Sequence, residues 1–235
     1  MRTKQKSADS DCFPTPSTRR VDPDNPGAQI IREAAAAIRN GGVVAFPTRC
    51  LYGLGADAFN AGAVERVFTI KQRPETNPLL LLIGSQKDVH RLVRHVPAFA
   101  ACLMDYFWPG KITLVFEAGE QVPQNLTAGT GKIGLRLPAH PVARALVQAA
   151  GGPITGTSAN ISGAPGCADV SRMNPAVAGQ LDLILDAGPL KGGAGSTVVD
   201  VTGSAPLVLR EGEVGQKDIL SVLAQSQSFI DKFSS

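Results

Sequence analysis

The sequence predicts a mixed α/β fold in which one twisted, open, mixed sheet is flanked by helices. Early in the chain, short apolar runs alternate with segments of helical periodicity, and late in the chain strand-like runs follow one another closely. With 43% apolar residues in 235, and with 25 Gly and 17 Pro that show no triplet period, the composition is that of a globular protein. No apolar run reaches the roughly 18 to 20 residues of a membrane span, so no membrane association is predicted.

The helices are predicted from apolar periodicity and from residues that favour helix ends. The first begins at a cap on Asn25, with Pro26 in its first turn, and ends at Gly41 and Gly42. The second begins at a cap on Asn60 and ends before residue 74, a proline. Further helices are predicted after a capping box at 85–88, over 97–108, over 141–150 and around 219–223.

The strands are predicted from short apolar runs bounded by turn residues. The segment 48–57 is predicted as a glycine-bearing loop, and residues 1–24 as a disordered tail because they carry charges and Pro but no apolar stretch. A single domain over 25–235 is then the economical interpretation. The predicted strands are 43–46, 79–83, 111–118, 132–137, 153–155, 181–186, 196–202 and 207–210, the last two pairing as a hairpin.

Charge and cysteine content exclude several classes of function. The net charge is +3, but the first 20 residues hold five cations and two anions, so the rest of the chain carries 18 of each. A neutral body argues against a broad nucleic-acid-binding face and leaves room for a local basic cleft. The four cysteines form no Cys-x-x-Cys pair, which is typical of a reduced, cytoplasmic protein. The three histidines have no metal-ligand spacing, so a zinc site is not predicted.

Four loops place polar groups and glycine just after a strand or helix, where ligands gather in α/β folds. None matches Gly-x-x-x-x-Gly-Lys-Ser/Thr, and none is a Gly-x-Gly-x-x-Gly that follows a strand. A nucleotide site in this chain would therefore have to be built otherwise. The four loops are 47–57, 71–78, 156–163 and 192–197.

Lys71 and Arg73 lie where the second predicted helix ends. Cations at a helix carboxyl end interact favourably with the helix dipole and with exposed carbonyls, so one interpretation is purely structural. Pro74, however, ends the helix there and turns both cations towards the segment that leads into Asn77. A Lys point charge beside an Arg fork suits a polyphosphate, which is the functional interpretation.

Other polar residues allow the same two interpretations. Thr157, Ser158 and Asn160 follow a predicted strand, where such residues form ordinary turns or could equally wrap a phosphate or an adenine edge. Arg136 occupies an alternate position of its strand, and Arg210 ends another. Each of these arginines lies either on an exposed face or in a ligand site.

Together these segments resemble the YrdC-like family of threonylcarbamoyl-AMP synthases. The matching blocks follow the family order between residues 43 and 215, and seven ordered blocks make a chance match implausible. The chain is thereby identified as a single-domain member of the family. The blocks are PTRCLYGLGAD (47–57), KQRPETNPL (71–79), WPGKITLVF (108–116), GLRLPAHP (134–141), TSANISGAP (157–165), STVVD (196–200) and LREG (209–212).

The resemblance implies a twisted mixed α/β sheet around a large, positively lined cavity, and L-threonylcarbamoyladenylate synthase activity. In this nucleotidyl transfer, L-threonine, bicarbonate and ATP give threonylcarbamoyl-AMP and pyrophosphate, with Mg²⁺ bridging the phosphates. The product serves the threonylcarbamoyladenosine modification of tRNA, so the implied partner is a downstream tRNA threonylcarbamoyl-transfer complex. Weak direct binding of tRNA stays open.

The resemblance also assigns roles to individual residues. The family's Lys-x-Arg and Ser-x-Asn patterns fall on Lys71, Arg73, Ser158 and Asn160, which are therefore the expected catalytic residues. No protein metal ligand is expected. The expected ATP contacts are Lys71, Arg73, Asn77, Ser158, Asn160 and Arg210, and the expected threonine contacts are Thr48, Cys50, Arg136, Thr157 and Ser196.

Five positions depart from the family pattern, and Lys132 and Gly166 are two of them, because each stands where a hydroxyl residue is common. Cys50 stands where a hydroxyl is expected near threonine, Leu82 where many relatives have His, and Gly195 where Glu is usual. These differences concern amino-acid selectivity rather than nucleotide binding, and they keep open a paralogue that adenylates another carbamoylated amine. A non-catalytic module that binds double-stranded RNA or tRNA is the other alternative, against which the neutral body argues.

Overall fold

The computed structural model describes residues 16–233, with side chains to residue 225. Two mixed sheets, rather than the single sheet predicted, form the centre of the fold. The mixed α/β class is confirmed. The strands are β1 (Ser17–Arg20), β2 (Val44–Pro47), β3 (Tyr52–Gly55), β4 (Leu80–Leu82), β5 (Ile112–Glu117), β6 (Lys132–Arg136), β7 (Ile154–Thr155), β8 (Thr157–Ser158), β9 (Leu183–Asp186), β10 (Thr197–Asp200) and β11 (Leu207–Arg210).

The helices begin and end mostly where the sequence predicts. Asn60 caps the second helix by accepting a hydrogen bond from the backbone N–H of Ala63, and the capping box of Ser85 and Asp88 is present. The first helix begins later than predicted, with Gly27 rather than Asn25 at its cap. The helices are α1 (Ala28–Arg39), α2 (Ala61–Lys71), α3 (Val89–Leu92), α4 (Ala98–Phe107), α5 (Gln124–Thr127), α6 (Pro141–Ala150), α7 (Pro175–Ala178) and α8 (Gln216–Phe233).

The strand order of the first sheet is β1-β9-β2-β3-β8, and that of the second is β11-β10-β5-β6-β4-β7. In the first sheet β2 and β3 form an antiparallel hairpin with Val44 opposite Gly55, so the segment predicted as a loop contains a strand. A Cβ on Gly55 would lie 2.8 Å from the Phe46 ring, which explains why glycine occupies a strand position there. In the second sheet β10 and β11 form the predicted hairpin.

Residues 17–24 do not form part of a tail. Strand β1 pairs in parallel with β9, so that Ser17 lies opposite Leu183 and Arg20 opposite Asp186. Val21 is buried, and its N–H donates to the Asp186 carbonyl at 2.9 Å. The folded body therefore begins by residue 17 rather than at residue 25. Residues 1–15 lie outside the described part of the chain, and the single catalytic domain stays a prediction.

The chain crosses from one sheet to the other at Gly156, which separates β7 in the second sheet from β8 in the first. A Cβ on Gly156 would lie 2.6 Å from Leu80 Cδ1 and 2.7 Å from Leu82 Cγ. A side chain there would have to displace the side chains of Leu80 and Leu82 on β4. The close packing of Gly156 against β4 places the segment that begins with Thr157 in the space between the sheets.

Apolar side chains form two clusters that hold the sheets and helices in place. One runs from the hairpin of β2 and β3 through β4, β5 and β6 to α2, α4 and α8. The other joins α1 and α6 to the first sheet, and it contains the buried face of α1, including Ile31, Ala34 and Ile38. Within the part of the chain that the structure describes, no helix is both long and apolar enough to cross a membrane.

Candidate functional site

A cavity of about 560 Å³ is lined by residues of both sheets. Five basic and two acidic side chains line it, so its formal charge is positive although the body of the chain is neutral overall. The local basic cleft that the charge analysis left open is therefore present. Of the predicted site residues, those on its wall are Thr48, Cys50, Arg73, Arg136, Thr157, Ser158, Ser196 and Arg210.

Three arginines on this wall, Arg73, Arg136 and Arg210, donate hydrogen bonds to neutral backbone carbonyls. Arg136, at the end of β6, donates from Nε to the Gly110 carbonyl at 2.7 Å, and burial lowers its pKa from the ordinary arginine value. Arg210, at the end of β11, donates to the carbonyl of Ser196 at 2.8 Å. Because arginine has five N–H donors, both side chains keep donors for an anionic ligand.

Arg73 leaves the end of α2 and turns as the sequence predicts. Its Nε donates to the Asn77 carbonyl at 3.1 Å and its Nη2 to the Pro78 carbonyl at 2.7 Å. These bonds hold the guanidinium on the cavity wall. Asn77 itself is exposed and is not part of that wall, so it supplies the carbonyl that orients Arg73, and its contact with ATP stays a prediction.

Lys71 does not accompany Arg73, and the interpretation that Pro74 turns both cations the same way is wrong for Lys71. The Lys71 side chain is fully buried, and its Nζ donates to the carbonyls of Ser158 at 2.5 Å and Asn160 at 2.8 Å. Burial, with the nearby charge of Arg73, lowers its pKa to about 8. Lys71 therefore holds the segment after β8 from beneath instead of lining the cavity.

Asn160 has the same supporting position. Its side-chain NH₂ donates to the carbonyls of Ile161 at 2.8 Å and Ala164 at 2.7 Å, while its Oδ1 accepts from the hydroxyl of Ser158. Both ends of the amide are thus engaged within the loop. Of the Ser-x-Asn pair, Ser158 lies on the cavity wall and Asn160 behind it.

Several wall residues were missed by sequence reasoning. Thr113 accompanies Ser196, with their hydroxyl oxygens 2.8 Å apart. Lys132 lines the cavity and forms an ion pair with Asp200 at 2.8 Å. Strand alternation could have indicated Lys132, because it lies on the same face of β6 as Arg136.

Glu213 is the other residue that was missed, and it lies in an irregular segment where no periodic signal exists. Its Oε1 accepts from the Cys50 thiol at 3.1 Å and pairs with Arg49 Nε at 3.2 Å. Burial raises the pKa of Cys50, and the neighbouring Glu213 raises it further, so the thiol stays protonated and donates. The thiol proton of Cys50 is therefore already used in a hydrogen bond to Glu213.

No group of three or more His, Cys, Asp or Glu side chains within the described residues is placed to hold a metal ion. The acids on the cavity wall, Asp200 and Glu213, are each paired with a cation. These residues therefore do not fit a protein-held Mg²⁺ site.

A sequence model named Sua5_yciO_yrdC, described as "Telomere recombination", matches residues 36–212. The chain belongs to the Sua5/YciO/YrdC family. Among curated relatives, the threonylcarbamoyl-AMP synthase of Pyrococcus abyssi is 40% identical over 195 residues, covering 83% of this chain and 57% of that relative. The putative threonylcarbamoyl-AMP synthase of Mycobacterium tuberculosis H37Rv is 39% identical over 203 residues, covering 86% and 93%. The chain thus spans little more than half of the first relative and nearly all of the second.

Solved structures of the family share the fold. Sua5 of P. abyssi complexed with L-threonine superposes with a TM-score of 0.83 at 38% identity, over 87% of this chain and 60% of that one. YciO of E. coli superposes with a TM-score of 0.80 at 31% identity, over 87% and 99%. Both confirm the predicted family fold.

Proposed function

We propose that the chain is an L-threonylcarbamoyladenylate synthase, a nucleotidyltransferase that converts L-threonine, bicarbonate and ATP into threonylcarbamoyl-AMP and pyrophosphate. The observation that carries this proposal is the convergence of Arg73, Arg136 and Arg210 on one cavity between the sheets. Family membership and the threonine complex of the P. abyssi relative support it.

The chemistry requires such a cavity. The neutral amine of threonine first condenses with bicarbonate to give a carbamate and water. A carbamate oxygen then attacks the α-phosphorus of ATP, and the bond from that phosphorus to the leaving pyrophosphate breaks. Two anions must therefore approach each other while negative charge moves onto the pyrophosphate leaving group. Fixed cations reduce that repulsion and position the reactants, and no covalent enzyme intermediate is needed.

The cavity divides into two ends under this proposal. Arg73, Ser158 and Arg210 form the nucleotide end, while Arg136 and Ser196 bind the carboxylate end of threonine. Thr48, Cys50 and Thr157 complete the amino-acid pocket. Lys71 and Asn160 act by shaping the loop that presents Ser158, since their polar atoms are engaged with that loop.

Mg²⁺ would enter with ATP, with ligands from phosphate oxygens and water rather than from a protein cage. The product is a reactive mixed anhydride, so we propose that a tRNA threonylcarbamoyl-transfer complex consumes it in the cytoplasm.

The test is pyrophosphate release that depends on both threonine and bicarbonate, with the adenylate identified by mass spectrometry from an amino-acid mixture. Arg73→Ala should lower turnover about 100- to 1,000-fold, as expected for loss of one key electrostatic donor. Arg144→Ala, an exposed arginine on α6, is the matched control and should retain activity. A different adenylate would support the paralogue, and salt-sensitive tRNA binding without turnover would support the RNA-binding alternative.

A further inference from the structure

Glu213 stands out among the acids of the cavity because one of its oxygens has no partner. Its Oε1 is shared by the Cys50 thiol and Arg49, whereas Oε2 is buried and, within the described residues, accepts no hydrogen bond. The other acid on the wall, Asp200, is bonded to Lys132 and Thr202. A buried carboxylate oxygen without a donor is costly, so it indicates a missing donor.

The surroundings of Glu213 identify the donor's chemistry. Arg136 is close enough for the Glu213 charge to raise its pKa against the lowering by burial. The same wall carries Thr48 and Ser196. An amino acid is a zwitterion, and a site with Arg136 for its carboxylate and a carboxylate for its ammonium matches both charges.

The residues around Glu213 also hold it in place for this role. Its backbone N–H donates to the Gly195 carbonyl at 3.2 Å, and Arg49 with Cys50 fixes Oε1. These contacts hold the carboxylate in place while the lone pairs of Oε2 stay without a hydrogen bond. The arrangement also explains Cys50. Its thiol orients Glu213, at a position where the family resemblance leads one to expect a hydroxyl near threonine.

We propose that Glu213 is a substrate-binding residue of the amino-acid end, whose Oε2 accepts a hydrogen bond from the α-ammonium group of the incoming amino acid. The proposal rests on the function proposed above, because it concerns the substrate of that site. It assigns the carboxylate of the amino acid to Arg136 and the ammonium to Glu213.

The test is calorimetric binding of three ligands to the wild type and to Glu213→Gln. The ligands are L-threonine, L-2-aminobutyrate, which lacks the side-chain hydroxyl, and 2,3-dihydroxybutyrate, in which a hydroxyl replaces the ammonium. Glu213→Gln should lower the affinity for threonine and for 2-aminobutyrate by a similar factor of about 10 to 100, since a charge-assisted hydrogen bond is lost. Binding of 2,3-dihydroxybutyrate should change less than about threefold, or be equally undetectable in both proteins.

The matched control is Glu211→Gln, which removes the same charge two residues away on the exposed side of the segment. It should bind all three ligands as the wild type does. If Glu213→Gln does not fold, Glu213→Asp serves instead, because it keeps the charge beside Arg49 but withdraws the oxygen. Glu213→Asp should lower the affinity for threonine several-fold and leave the affinity for 2,3-dihydroxybutyrate unchanged.

Two outcomes would overturn the inference. The first is unchanged affinity for threonine in folded Glu213→Gln. The second is a loss of affinity that is also seen for 2,3-dihydroxybutyrate but not for 2-aminobutyrate, which would mean that Glu213 binds the side-chain hydroxyl of threonine. A wild-type protein that binds no threonine would instead contradict the proposed function. The two failures are thus distinguishable.

Discussion

Lys71→Met tests whether Lys71 supports the loop or contacts the nucleotide. The substitution keeps the length of the side chain but removes the ammonium that bonds the carbonyls of Ser158 and Asn160. The Asn160 carbonyl is then left without a donor, which costs about 1 to 3 kcal/mol, whereas the Ser158 carbonyl keeps a hydrogen bond from the backbone N–H of Asn160 at 3.0 Å. The fully buried ammonium is itself unfavourable, and a pKa of about 8 against a usual 10.5 corresponds to roughly 3 kcal/mol that the variant recovers.

The two effects nearly cancel, so the unfolding free energy of Lys71→Met should differ from that of the wild type by no more than about 2 kcal/mol, and the larger effect should be on the loop. ATP affinity and pyrophosphate release should fall together because Ser158 loses its fixed position. The assays are urea denaturation, calorimetric ATP binding and pyrophosphate release, with Lys87→Met, an exposed lysine, as control.

Amide hydrogen exchange separates loop support from direct contact, since loosening of the loop should raise exchange at 158–164 in the ligand-free protein. A variant with unchanged exchange and stability but with ATP binding reduced 100-fold would refute the reasoning, because only a direct ammonium–phosphate contact would explain it. Full activity in Lys71→Met would refute a functional role altogether.

Three further predictions concern stability. The lowered pKa of Lys71 means that the unfolded state binds more protons between about pH 8 and 10.5, so unfolding free energy should rise with pH there, and this increment should vanish in Lys71→Met. Gly156→Ala should cost at least about 1 to 3 kcal/mol in urea denaturation because its Cβ would overlap Leu80, whereas Gly152→Ala, with open space around it, should not. Tyr52→Phe should lower the melting temperature by some 2 to 10 °C, because the Tyr52 hydroxyl bonds the Gly188 carbonyl at 2.7 Å and its loss leaves that carbonyl unpaired.

Helices with strong end signals were predictable from the sequence, and strands without apolar alternation were not. Helix α6 matches its predicted bounds because a proline begins it and a glycine in the left-handed conformation follows its end. Strand β1 was missed because Ser17–Arg20 is polar and mostly exposed, so only its backbone pairing with β9 defines it. Strand β3 was missed because its glycines indicate a turn, whereas Phe46 requires them.

The sequence predicted most residues of the candidate site, but not which of them line the cavity and which support the loop behind it. Motif blocks identified Arg73, Ser158 and the two later arginines, which all reach the cavity. They could not show that Lys71 and Asn160 lie behind the wall, because a motif records residue type and not the direction of a side chain. Glu213 was beyond sequence reasoning, since its partner Arg49 is distant in the chain.

The positive field of the cavity follows from the kind of partner that each cation has. Lys132 is paired with a carboxylate, Asp200, so its charge is largely cancelled for a ligand. Arg73, Arg136 and Arg210 are oriented instead by hydrogen bonds to neutral carbonyls, which fix their geometry, and of these three Arg136 also feels the charge of Glu213. Such fixed donors stabilise charge that develops in a transition state, because they need no reorganisation when the reaction occurs. A folded body whose residues 21–235 carry no net charge can therefore present a cationic cavity, provided that its loops supply carbonyls rather than carboxylates.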